Sequence, residues 1–95
     1  METALTNFVF DRVRLAIEQT TYLGDLVLTW TTRLTDDLQL GKFGMLKLAL
    51  YLEEVFDIEL SDELVSRFAT IGDIVTHLSR NYFRDADVYS LAKAA

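Results

Sequence analysis

The chain has 95 residues, 51% of them hydrophobic, with nine basic against fifteen acidic side chains and a net charge of −6. A chain of this length holds one core, and its apolar content suffices to fold without metals or disulfides. With no cysteine and one histidine, disulfide frameworks, cysteine nucleophiles and most transition-metal sites are excluded, and the acidic balance has the wrong sign for a phosphate backbone, so no nucleic-acid partner is expected.

Charge interrupts every apolar stretch before the roughly eighteen residues needed to cross a bilayer. The opening METALTNFVFDRVR has neither a basic region nor a long apolar one, so no secretory signal is visible. A soluble, cytoplasmic monomer with no membrane insertion is the expectation. From Leu5 to Thr20, Leu5, Phe8, Val9, Val13, Ala16 and Ile17 recur at helical spacing, with Asp11, Arg12, Arg14 and Glu18 largely opposite. This is the first helix. Residues 21 to 41 keep no sustained period, and a connection that long needs a structural reason. Its own apolar residues, Leu26, Leu28, Trp30, Leu34 and Leu38, predict that it packs along the helices.

The second helix is expected from Gly41 or Lys42 to Phe56, with Met45, Leu48, Ala49, Leu52, Val55 and Phe56 as its buried stripe and Gly41 as N-cap. Asp57 to Leu60 alternates like a short extended link. Ser61 then caps a short third helix whose first turn holds Asp62 and Glu63, where the dipole favours negative charge. Thr70-Ile71-Gly72-Asp73 resembles a capping box opening the fourth helix, with Ile74, Val75, Leu78 and Tyr82 on its inner side and His77 on its exposed side. The layout predicts an all-α fold, a small antiparallel four-helix bundle with a long loop between helices one and two. Residues 1–83 form the domain, and 84–95 prolong the last helix or fray as a tail.

Three features invite a chemical reading. Gly41-Lys42 suggests a phosphate loop, but Asp36 and Phe43 stand where that motif needs a glycine and a hydroxyl residue. A Schiff-base or general-base role for Lys42 would need burial and a polar partner set, so a solvated lysine is the simpler expectation. His77 has no serine or carboxylate predictably beside it. Glu53, Glu54, Asp57, Glu59, Asp62 and Glu63 crowd one stretch without the spacing of a calcium loop. They read as a solvated rim or as a docking surface for basic patches. No nucleophile and base pair is apparent, and neither a catalytic nor a metal site is expected.

Leu52-Glu53-Glu54-Val55-Phe56-Asp57-Ile58-Glu59-Leu60 closely resembles the end of helix two and the following link in acyl carrier proteins. Thr32-Arg33-Leu34-Thr35-Asp36-Asp37-Leu38 resembles the end of that family's first loop, and Phe68-Ala69-Thr70-Ile71-Gly72-Asp73-Ile74 the lead-in to its last helix. The resemblance covers roughly residues 5 to 83. It implies a four-helix carrier bearing 4'-phosphopantetheine on a serine at the start of helix two and visiting biosynthetic enzymes in turn. Counted without a gap, the family's Gly-x-Asp-Ser-Leu falls on Gln39, Leu40, Gly41, Lys42 and Phe43, so the serine position is Lys42. An amine cannot replace the hydroxyl that forms the phosphodiester. Gln39, Gly41, Gly44 and Lys47 also depart from the family pattern, which fits natural divergence better than one engineered substitution.

Two expectations follow. The first is a non-catalytic, protein-binding relative of the carriers, without a prosthetic arm, acting as scaffold, subunit or regulator through Lys42, Phe43, Lys47, Glu53, Glu54 and Asp57. The alternative is a genuine acyl or aminoacyl carrier in fatty-acid, polyketide or peptide-like biosynthesis whose serine has been altered here. Phe43, where the family has leucine, is expected either to plug the space between the helices or to project toward a partner.

Overall fold

A computed structural model of the protein describes residues 4–82, and the expected 84–95 extension lies outside them. It contains α1 (Ala4–Thr20), α2 (Lys42–Phe56), α3 (Asp62–Val65) and α4 (Ile71–Asn81). The expected all-α bundle is observed, with no strand among the described residues. α1 packs against both α2 and α4, and α3 leans on α2. Among the described residues no helix is long and apolar enough to cross a membrane.

Burial follows the helical period. Val9, Val13, Ala16 and Ile17 of α1 are buried against Leu48, Ala49 and Leu52 of α2 and Ile71, Ile74, Val75 and Leu78 of α4, and all belong to one core. The long connection, residues 21–41, adds Leu28, Leu34, Leu38 and Leu40 to that core. Trp30 stacks on Phe10 of α1, with ring centroids 5.6 Å apart and planes within 7°. Leu26 is the exception to the expected packing, at 41% exposure on the outside of the loop.

The reason for so long a loop lies at the start of α4. The first amides of a helix have no partner within it, and here the loop supplies two. Trp30 accepts from the Gly72 amide at 2.9 Å and Thr32 from the Ile71 amide at 3.0 Å, while the Leu34 amide donates to Ala69 at 2.9 Å. The predicted capping box completes the set: Thr70 Oγ1 accepts from the Asp73 amide and the Asp73 carboxylate accepts from the Thr70 amide. Gly72 is required by this contact, because a Cβ there would stand 2.9 Å from the Trp30 carbonyl oxygen.

α2 ends at Asp57, whose amide makes the last helical bond to the Glu53 carbonyl and whose left-handed backbone (φ 55°) turns the Ile58 amide onto the same carbonyl at 3.1 Å. Ser61 caps α3 as expected, its hydroxyl accepting from the Leu64 amide at 3.1 Å. Three side chains correct the helical-wheel reading: Tyr82, expected on the inner side of α4, is its C-cap and 37% exposed. Val55, expected in the buried stripe, is 44% exposed, because it stands three residues beyond Leu52 and falls on the margin of the stripe. His77, expected on the exposed face, is half-buried between Phe68 and Tyr82, each ring centroid 5.8 Å away.

Candidate functional site

The start of α2 is the region that the sequence singles out, and its local structure departs from an ordinary helix start. Gln39 adopts the left-handed conformation, φ 56°, which an L side chain occupies at a cost and glycine does not. The backbone thus has a shape suited to glycine at the position where the family resemblance expects one. Gly41 is the N-cap and provides no side-chain acceptor, and no acidic residue stands in the first turn. Lys42 is the first helical residue and is exposed, so its charge meets the positive end of the helix dipole.

Phe43 does not plug the space between the helices. It is 83% exposed and projects away from the bundle. The space it would have plugged, between Met45, Leu48, Leu52, Leu60, Val65 and Phe68, has a volume of only about 10 Å³, no more than the smallest cavity that holds one water. Outside it, Lys42, Met45, Leu46, Ala49, Asp62, Val65 and Ser66 line an open groove of about 300 Å³ between α2 and α3.

Five of the six predicted contact residues are exposed, and the structure brings them to the outer side of α2 or its C-cap: Lys42, Phe43, Lys47, Glu54 and Asp57. Glu53 differs. It is half-buried, and its Oε2 accepts from the Leu60 amide at 2.8 Å, closing the link between α2 and α3. Two residues that the sequence reading passed over belong to the same face, Leu46 at 44% and Leu50 at 56% exposure. Phe43, Lys47, Leu50 and Glu54, at spacings of four, three and four, form one row along the helix. A signal for Leu46 and Leu50 was present, since both stand opposite the buried stripe where polar residues are the norm.

The charges on this face have no partners of their own. Arg14 pairs with Glu18 at 3.0 Å, Arg33 with Asp36 at 3.1 Å and Arg67 with Glu63 at 2.8 Å, whereas Lys42, Lys47, Glu54 and Asp57 take part in no ion pair among the described residues. Nor does any group of three or more His, Asp or Glu among the described residues form a metal cage. His77 is placed away from this face, with Asn81 Nδ2 3.2 Å from its Nδ1 and its buried Nε2 without a protein partner.

No family model matches the chain. Similarity to individual proteins is nevertheless extensive. An acyl carrier protein of Onion yellows phytoplasma is 32% identical over 73 residues, covering 77% of this chain and 96% of the relative. The chain belongs to the acyl carrier protein family. An acyl carrier protein of Aster yellows witches'-broom phytoplasma is 30% identical over the same shares of both chains, and one of Coprothermobacter proteolyticus is 28% identical over 75 residues, 79% of this chain and 92% of the relative. The four helices of the described residues agree with the small helical bundle that the resemblance implies.

Proposed function

We propose that this member of the acyl carrier protein family has lost the prosthetic arm and works as a non-catalytic protein-binding module, a scaffold, subunit or regulator for biosynthetic enzymes. The observation that carries the reading is Lys42, an exposed ammonium at the first position of α2 where the family resemblance expects a serine hydroxyl. The residues around it do not fit 4'-phosphopantetheine. Of the two serines near α3, Ser61 accepts from the Leu64 amide and Ser66 donates to the Glu63 carbonyl at 2.6 Å, so both hydroxyls serve the α3 caps. The inner space behind Met45 and Leu48, about 10 Å³, is too small for an arm-borne chain, and what room there is lies in the open groove beside Lys42.

What remains is a surface. Lys42, Phe43, Lys47, Glu54 and Asp57, with Leu46 and Leu50 among them, offer a partner apolar contact framed by unpaired charge, the composition of a specific docking face. Glu53 holds the end of α2 in shape. The alternative, a working carrier with an altered serine, draws on the name its relatives share. Incubation with coenzyme A and a promiscuous phosphopantetheinyl transferase separates the two. Under our reading the intact mass is unchanged, and a gain of one arm on any residue sinks it.

A further inference from the structure

Resting on the reading of the outer α2 face as a docking surface, we infer that its occupant is a second copy of this chain, packed antiparallel along α2 about a two-fold axis at Leu50. A two-fold interface must be complementary to itself, each residue meeting its counterpart's partner. The outer face of α2 has that property. Lys47 stands three residues before Leu50 and Glu54 four after it; Lys42 stands eight before and Asp57 seven after it. Reversing one helix against the other therefore sets each lysine opposite an acid, in two pairs centred half a residue to either side of Leu50.

The pairs also agree around the helix. At about 100° per residue, Lys42 falls on one flank of the row through Phe43 and Leu50 and Lys47 and Glu54 on the other, while Asp57, the left-handed C-cap, stands at the end of the row on the Lys42 side. An axis running across two antiparallel helices keeps each flank on its own side, so Lys42 meets the partner's Asp57 along one edge and Lys47 the partner's Glu54 along the other. Between the edges the exposed Phe43 and Leu50, 83% and 56% accessible, lose water together.

Charge favours this occupant. The chain carries −6 overall, so two copies repel across most approaches, but this face balances two cations against two anions. None of the four is neutralised within its own chain among the described residues. A face of one helix is small beside the roughly 800 Å² per partner of a standard interface, so the dimer is weak and populated at high protein concentration.

Analytical ultracentrifugation at protein concentrations up to about 1 mM, where weak interfaces fill, tests this. The mass should rise toward two chains. Lys47→Glu and Glu54→Lys should each weaken association at least about tenfold, since every change is felt twice by symmetry, and the double swap should restore it. Because the chain has no cysteine, Leu50→Cys should oxidise to a disulfide dimer faster than a control Tyr22→Cys at a 95% exposed loop site. A chain that stays monomeric throughout, a swap that fails to rescue, or equal cross-linking of the two cysteines overturns the inference. Its failure is distinct from that of the proposed function: a monomer that accepts no arm leaves that reading standing, and a dimer that accepts an arm removes that reading alone.

Discussion

At the start of α4 the first three amides all have partners, from the Thr32 and Trp30 carbonyls and the Thr70 hydroxyl, whereas at the start of α2 no side chain caps the helix and its first residue is a cation. Both starts are reached from the same loop, residues 21–41. Where the loop meets α4, backbone groups interlock and a glycine admits the close approach. Where it enters α2, Gln39 bears a left-handed backbone and Gly41 faces open space. The α2 start is held by its inner side, through Leu40, Met45 and Leu48, while its outer side is left without the features that stabilise a helix terminus. The α4 start is locked by bonds to the loop, and the α2 start leaves its outer side to solvent.

Substitutions should respond in opposite senses at the two starts. Gly72→Ala should show the largest effect: in an open helix it would gain up to about 1 kcal/mol, but against the Trp30 carbonyl it should cost about 1–3 kcal/mol in urea unfolding. A neutral or stabilising result would mean that the loop does not lock α4. Thr70→Ala removes the cap and should cost about 1 kcal/mol by the same measurement.

On the α2 side the signs reverse. Gln39→Gly should stabilise by about 0.5–1 kcal/mol, because only the left-handed strain is relieved; a loss would show that the Gln39 side chain contributes contacts that outweigh it. Smallest is Lys42→Ser, expected to stabilise by about 0.3–0.5 kcal/mol at low salt and by less as salt screens the dipole. A thermal melt series in salt distinguishes that charge effect from a change in packing, which salt would leave unaltered.

The contrast also separates what the sequence displays from what it conceals. The helices were legible in chain order, because the periods of Val9, Val13 and Ile17 or of Leu48 and Leu52 and the caps at Ser61 and Thr70 are side-chain signals. The interlock of Trp30 and Thr32 with α4 is made by backbone groups, which write no residue pattern. The strain at Gln39 is hidden because glutamine does not announce a positive φ. Val55 and His77 were misplaced for a related reason: period gives an angle around a helix, while burial at a margin depends on which neighbour lies over it. At the candidate site Lys42, Phe43, Lys47, Glu54 and Asp57 are exposed as a surface role requires, but Glu53 was assigned to the surface when it braces Leu60, and the apolar Leu46 and Leu50 were passed over beside the charges.

The central claim is that a carrier-family fold persists here without the arm. The most direct measurement is the intact mass of the protein purified from its own cells and again after digestion, with the peptide spanning Lys42 followed in particular. An unmodified chain, with the Leu40–Lys47 segment at the mass its sequence requires, is predicted; a phosphopantetheine adduct on that segment or on any other residue would contradict the account.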